Sequence, residues 1–519
     1  MELVLLMYAE RRTISTIIVT IVLTTAIFNI LIPLPLLQTA LGQDNSTTAT
    51  TTIITTPGGR LPSRGGGEAS NILPENTTTA TVQNTTTATV VEEQPQQQTE
   101  LTETLVADLA RQAAVEILSY YIAPASTFGW TINEDLMQED VATLAQEGFI
   151  TDPNDPTEIS SVQSFLFIED PSRYFMETND VRRIDSSAVF GGSGFIVTPQ
   201  GHIVTNAHVV AGADVSAERR EEISSAMIDD AAFVLAQEDL NQISQLTGLN
   251  IDIDILSDLE LANVLSALQL FYAARIEIDQ QGLLQRIFVN GIAIPEPADP
   301  ELPGLEARLI GGAATGLPFP GRDVGIIKVD ITGQAGQNLP TLPLGGGIST
   351  LKTLDDIIIV GFPGAISDNP LFTEVTNPVA ISAKVGGLYE ILGIITPEGT
   401  GWTAIQIGTS LSGGISGGPA LDRSGNVIGI ATFGISDPET GGTIPGIGFL
   451  VPTDIIREFL STANIQPQES RFTVLYRDAL VNFYSGNYEE ARNILQELQG
   501  ISPNNQDISN YISRATTIS

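Results

Sequence analysis

Residues 412–420, SGGISGGPA, surround one hydroxyl, that of Ser416, with four glycines. Each glycine adds to the entropy lost on folding, so such a cluster signals backbone torsions closed to other residues, or a very close approach by something else. A serine framed this way is a candidate nucleophile, and it needs a base to take its proton and a third group to orient that base. The chain holds only two histidines, His202 and His208, and no cysteine. Histidine-dependent catalysis therefore has two candidates, and disulfides, thiolate metal sites and cysteine nucleophiles are excluded. His208 closes the strand-like run IVTNAHVV just before a loop, and Asp323 in GRDVGIIKVD directly precedes another β-branched run. Taken singly, a serine among glycines is usually a turn, a strand-end histidine is satisfied by backbone, and Asp323 is one of 61 acidic residues. The order His, Asp, Ser in these three contexts makes them a candidate triad. His202 falls in the hairpin turn PQGH, where an exposed polar residue is expected.

The elements that must position these groups are short β-branched runs punctuated by glycine and proline, such as GGSGFIVTPQGHIVTNAHVV and DDIIIVGFPGA, which argue for a mainly β body from about residue 185 to 465. A helical insertion interrupts it at 216–270. Residues 101–184 read as a mostly helical preface, because LTETLVADLARQAAVEILSYYI has apolar residues at helical spacing and no strand-like alternation. Before it, residues 38–100 are rich in Thr, Asn and Gln and repeat NTTTATV. Such sequence cannot bury enough apolar area to fold and reads as a linker. Its sequons at Asn45, Asn76 and Asn84 suit an exposed stalk, or arise by chance from Thr-rich composition. Residues 13–37 carry no charge and follow Arg11 and Arg12. That run is long enough to span a hydrocarbon core of ~30 Å, so residues 1–12 are expected in the cytoplasm and 13–37 as a membrane anchor, with a signal peptide cleaved after Gly42 the alternative. A formal charge of −38 repels phosphates, so nucleic acid is not expected as a partner.

The triad order and contexts resemble the chymotrypsin-like serine proteases, and the match sharpens to the HtrA (DegP-like) branch. GSGFIVTPQGHIVTNAHVV is similar to its glycine-rich strand, hairpin and T-N-x-H-V motif; DVGIIKV to D-x-A-L-L-K-V; SGGISGGPALDRSGNVIGI to the G-N-S-G-G-P segment and the strand after it; and GIGFLVP to its closing strand. The resemblance implies a chymotrypsin-like double β-barrel with a helical insertion and C-terminal helices. It also implies catalytic His208, Asp323 and Ser416, an oxyanion hole from the backbone N–H groups of Gly414 and Ser416, and no metal or organic cofactor. In proteases of this fold the residue six before the nucleophile lies at the base of the specificity pocket. Here that residue is Ser410, and the strand GIATFG is expected to add Ile430, Ala431 and Thr432 as an uncharged wall. The implied activity is an extracytoplasmic, membrane-tethered serine endopeptidase acting on unfolded or damaged proteins. The alternative is a pseudoprotease that binds partners through the insertion and the C-terminal repeat.

Two departures stand out. Ile415 occupies the position where the family carries Asn or Asp, which argues against activation by a new N-terminus and leaves the support of the oxyanion loop unexplained. The β body is followed here by about sixty residues in place of a PDZ domain, and within 470–516 the run ALVNFYSGNYEEARNILQELQGISPNN resembles one tetratricopeptide unit, with Gly486, Tyr488, Ala491 and Pro503 at its helix-turn-helix spacings. A lone repeat cannot bury its apolar face, so it must pack on the protease, on the last helix or on a protein partner, unless it is a plain closing hairpin. A homo-oligomer is compatible with all of this.

Overall fold

A computed structural model of the chain describes residues 101–518 apart from 215, 298, 300–301, 312–315, 319, 332–337, 365–376, 392–400 and 437–442. The expected anchor at 13–37 and the linker at 38–100 lie outside the described residues. Among those described, no helix is long and apolar enough to cross a membrane.

In chain order the elements are α1 (Glu103–Ala113), β1 (Ala114–Ile132), α2 (Glu134–Gln146), α3 (Pro156–Glu169), α4 (Pro171–Tyr174), β2 (Phe175–Ile196), β3 (His202–Thr205), α5 (Ala207–Val210), α6 (Ala217–Leu240), α7 (Ile243–Thr247), α8 (Asp258–Ala273), β4 (Glu277–Ile278), β5 (Leu284–Asn290), β6 (Leu305–Leu309) and β7 (Gly325–Val329). They continue with β8 (Asp356–Gly361), β9 (Val379–Ile391), β10 (Trp402–Ile407), β11 (Pro419–Leu421), β12 (Val427–Ser436), β13 (Thr443–Pro452), α9 (Thr453–Thr462), α10 (Arg471–Tyr484), α11 (Tyr488–Ile501) and α12 (Gln506–Ile518).

Two sheets carry the site. The first runs β2-β3-β7-β6-β5-β1-β4, and β1 also pairs with β2, so six of its strands return on themselves with β4 attached to β1. The second is a closed barrel, β10-β13-β12-β11-β8-β9. Strand periodicity explains how one short run serves two cores. Ile357 and Ile359 of β8 point into the second barrel with Val385, Ile405 and Leu450, whereas Ile358 and Val360 join Phe195, Val204 and Ile326 in the layer between the sheets. Both faces are covered, which is why this strand reads as an unbroken apolar run.

Strands outweigh helices within 185–465, as the mainly β reading of that body expects, but over all the described residues the helices hold more of the chain than the strands do. The preface reading fails at Ala114, where α1 ends and a long strand begins. Val115, Ile117, Ser119, Tyr121, Ala123 and Ala125 of β1 are buried at every second position. The positions between them carry Leu118, Tyr120 and Ile122, so the alternation is of burial and not of polarity, and helical spacing is matched by accident. The first sheet therefore begins well upstream of residue 185.

The hairpin of β1 and β2 stays paired from Ala114↔Phe195 to Ile132↔Phe175, while β5 accompanies β1 only from Glu116 to Ile122. The far end of the ribbon carries a helical body built by preface and insertion together. Trp130, Met137, Phe167 and Tyr174 pack against Leu235, Leu268 and Phe271. Asp239 of α6 pins this body down, accepting from Trp130 Nε1 (2.8 Å), Arg182 (2.6 Å) and the Tyr272 hydroxyl. At the other end of the chain the hairpin expected around Gly486 forms as α10 and α11, with Gly486 at φ +85° in the turn. Its apolar face is covered within the chain, because Phe472, Tyr476, Leu480 and Leu495 pack with Ile508 of α12 and with Leu105 and Leu109 of α1.

Candidate active site

β3 and β7 are neighbours, with Thr205 opposite Gly325, so the chain leaving one strand and entering the other runs side by side. That adjacency brings His208, on the single turn α5, to Asp323. His208 Nδ1 lies 2.8 Å from Asp323 Oδ2, and the His208 backbone N–H donates to Asp323 Oδ1 at 3.0 Å. Asn206 Nδ2 donates to the Asp323 carbonyl at 2.8 Å and fixes the backbone as well. Asp323 is wholly buried. Burial pushes its pKa up, but the His208 imidazole and the hydrogen bonds from His208 and Thr432 outweigh that and hold the carboxyl below its ordinary value. Burial pushes the His208 imidazole down, yet the Asp323 carboxylate and its hydrogen bond carry it above its ordinary value. The outer edge of the ring remains open, with 36% of the side chain exposed.

Ser416 comes from the loop between β10 and β11 of the second barrel. Gly414 (φ +85°) and Gly417 (φ +86°) are left-handed, as the glycine cluster suggested. A Cβ at 414 would also collide with the Gly364 amide and the Phe362 carbonyl. The peptide planes of the loop are pinned one by one. Gly364 N–H donates to Gly413 O at 2.9 Å and Gly418 N–H to Ile415 O at 2.9 Å. In a trans peptide the C=O and N–H point opposite ways. Fixing those two carbonyls therefore turns the N–H groups of Gly414 and Ser416 to the other side, and among the described residues neither amide has an acceptor. Two free, aimed N–H groups beside a serine hydroxyl can take up the charge of an oxyanion.

Of two further residues that hold this geometry, Ser193 escaped the sequence reading and Thr432 was read only as part of the pocket wall. Ser193, on β2 of the first sheet, donates its Oγ to Gly414 O (2.6 Å) and its N–H to Ser416 O (2.7 Å), and accepts from Phe362 N (2.8 Å). It clamps the nucleophile loop from across the cleft. Its signal was available, since it too stands among glycines in GGSG. Thr432 joins the two halves of the site: its hydroxyl donates to Asp323 Oδ2 at 2.6 Å and its carbonyl accepts from Ser416 Oγ at 3.1 Å. The serine hydroxyl thus rests on Thr432, and among the described residues no hydrogen bond joins it to His208.

The pocket wall needs correction. Ile430 and Ala431 are wholly buried, the first in the layer between the sheets and the second inside the barrel. Thr432 turns its side chain to Asp323 and is 5% exposed. Because both faces of β12 are covered, no side chain from 430 to 432 reaches an open pocket. Ser410 is exposed, and its hydroxyl accepts from the Gly446 N–H at 2.7 Å. His202 is not in the turn but is the first residue of β3, paired with Lys328 and half-buried, with Nδ1 2.8 Å from Thr198 Oγ1.

The trypsin-like peptidase domain family matches residues 301–430, a segment that includes Asp323 and Ser416 and starts downstream of His208. Serine protease HTRA2, mitochondrial, of Bos taurus is 29% identical over 141 residues, which is 27% of this chain and 26% of the relative. Serine protease Do-like HtrB of Bacillus subtilis (strain 168) is 29% identical over 151 residues, 29% of this chain and 30% of the relative. The chain therefore spans between a quarter and a third of the length of these relatives. A solved HtrA-type protease with a decapeptide is similar over 71% of this chain and 68% of its own, at 17% identity and a TM-score of 0.33.

Proposed function

We propose that this chain, which matches the trypsin-like peptidase domain family over residues 301–430, is a serine endopeptidase of the HtrA branch in which Ser416, His208 and Asp323 act as the triad. The observation that carries this reading is the coincidence of an oriented His208–Asp323 pair with two unpartnered amides, those of Gly414 and Ser416, around one serine. In the proposed reaction the Ser416 hydroxyl leaves the Thr432 carbonyl, gives its proton to His208 Nε2 and attacks the scissile carbonyl. Asp323 holds the imidazole by Nδ1 and stabilises the imidazolium. The oxyanion is taken up by Gly414 and Ser416 N–H, the protonated imidazole hands its proton to the leaving amine, and water admitted by the same base releases the acyl group. On this reading the ring of strands around β1 and the closed barrel are the two barrels of a chymotrypsin-like fold. Residues 13–37 tether the domain outside the cytoplasm, with Arg11 and Arg12 inside, and the substrates are unfolded or damaged proteins. The test is labelling of purified protein by a fluorophosphonate probe, together with degradation of unfolded casein. Labelling at Ser416 with casein cleavage is the expected result; binding of casein without labelling selects the pseudoprotease instead.

Specificity follows from what borders Ser410. The flanking segments 409–413, 432–434 and 445–449 contain no charged residue. A Lys or Arg side chain entering there would lose hydration with no acid to meet it, a penalty of several kcal/mol. Cleavage should therefore follow Val, Ala, Leu or Ile, with modest choice among them because one methylene is worth only ~1–3 kcal/mol. Mass spectrometry of a digested unfolded protein checks this, and predominant cleavage after Lys or Arg would reject the pocket while leaving the nucleophile untouched.

A further inference from the structure

We propose that the helical insertion is wired to the catalytic base through Arg219, which acts as a positioning residue for His208. The inference rests on the protease reading of the site. His208 rides on a single helical turn, and the carbonyls at the end of such a turn have no partners within it. In α5 they are met by side chains. Ser119 Oγ donates to Val209 O (2.6 Å), Gln285 Nε2 to Val210 O (2.9 Å) and the Tyr121 hydroxyl to Ala211 O (2.8 Å). Those three residues belong to the first sheet. The fourth donor comes from the insertion: Arg219, in the first turn of α6, reaches Ala211 O with Nε (3.4 Å) and the Tyr121 hydroxyl with Nη2 (3.3 Å).

Burying a guanidinium is costly unless its donors are used and its planar face is covered. Here both conditions are met. The Arg219 side chain is 3% exposed, pairs with Glu222 at 2.7 Å and lies over the Phe190 ring at 4.3 Å. Ile223 and Met227, four and eight residues on along the same helical face, are buried with Tyr121, Ala123 and Ala188. A helix added to a surface loop needs none of this to stay folded. The arrangement instead seats the start of α6 on the Ala211 carbonyl, directly after the turn that carries His208, and on the Tyr121 hydroxyl that shares it, so displacement of the helical body is felt at the base. The charged groups facing His208 are Asp323 from the segment before β7 and Arg219 and Glu222 from α6.

The test compares Arg219→Met, Arg219→Lys and Glu222→Gln with the full-length wild type, using fluorophosphonate labelling rates and peptide hydrolysis across pH at low salt. A shift of the base by a fraction of an ångström should lower kcat and the labelling rate about tenfold or more in Arg219→Met, with KM nearly unchanged. Loss of the cation should also move the acid limb of activity to higher pH. Arg219→Lys, which keeps the charge but not the fork, should lose rate without that movement. Glu222→Gln, at an exposed position, should move the limb to lower pH with the melting temperature unchanged. Wild-type labelling rates and an unmoved acid limb in a folded Arg219→Met protein would overturn the proposal and leave the protease reading intact. If that variant does not fold, a wild-type labelling rate in a folded Arg219→Lys protein overturns it alone. A wild type that does not label at all rejects the protease reading and this inference with it.

Discussion

Ser416→Ala and His208→Ala should each lower peptide turnover by about a million-fold, with the double variant hardly worse, because nucleophile and base act as one unit. Asp323→Asn should cost about ten-thousand-fold. The Asp323 carboxylate is engaged at three bonds that all require an acceptor: His208 N–H, His208 Nδ1–H and the Thr432 hydroxyl. An amide presents one acceptor and two donors, so at least one of these donors would face another donor, and the imidazole would be offered the wrong tautomer. Single-turnover hydrolysis of a peptide checks all three variants, and substantial turnover in His208→Ala would reject the triad.

The two directional shifts at this pair have opposite consequences for stability and rate. The His208 pKa is raised, so the stabilisation from its charged form is full below the unfolded imidazole value and fades as pH rises through the folded one. The Asp323 pKa is lowered, so its contribution is present above the unfolded carboxylate value and is lost as pH falls through the folded one. Only neutral His208 can take the serine proton. Activity should therefore rise with pH through a range somewhat above that of an ordinary imidazole, while the ion-pair contribution to stability declines over the same range. Thermal melting and kcat/KM measured on one pH series should show this opposition.

The residues of the candidate site were legible in the sequence because the chemistry proposed for them restricts residue type. Few surroundings other than a left-handed, crowded loop call for SGGISGGPA, and Gly414 and Gly417 do have positive φ. Part of what stayed hidden has one physical cause: period-two alternation carries no information about where a strand's two faces go once both are buried. Ile430 and Ala431 were assigned to an uncharged pocket wall because the resemblance places the strand GIATFG there, but each belongs to a different core. The same ambiguity disguised β1, whose partly exposed positions include Leu118, Tyr120, Ile122 and Phe128. Long-range partnerships were out of reach for a different reason. Nothing local to GGSG shows that Ser193 meets Gly414 across the cleft, and nothing in α6 shows that Arg219 returns to Ala211.

Ile415 yields the second large effect, and it runs against the motif that the neighbouring residues share with the HtrA branch. Replacing Ile415 with Asn, a residue that branch carries there, should destabilise this protein by on the order of 4 kcal/mol and abolish labelling of Ser416. The Ile415 side chain is wholly buried inside the second barrel with Ile357, Ile359, Ile405, Ile407 and Leu450. Asparagine would forfeit that contact and leave an amide with no partner among aliphatic groups. The loop would then be free to turn Ile415 out, swinging the Ser416 amide away from where an oxyanion forms. Ile415→Val, which keeps the shape, should cost only about 1 kcal/mol and retain activity. Denaturant unfolding and fluorophosphonate labelling of both variants decide the matter, and an Ile415→Asn protein as stable and reactive as the wild type would show that the loop is held by something else. The same burial accounts for the departure at this position. Where chymotrypsin-like zymogens wait for a new N-terminus to pair with an acid next to the nucleophile, this loop carries an apolar side chain buried in the barrel, which argues against that activation route.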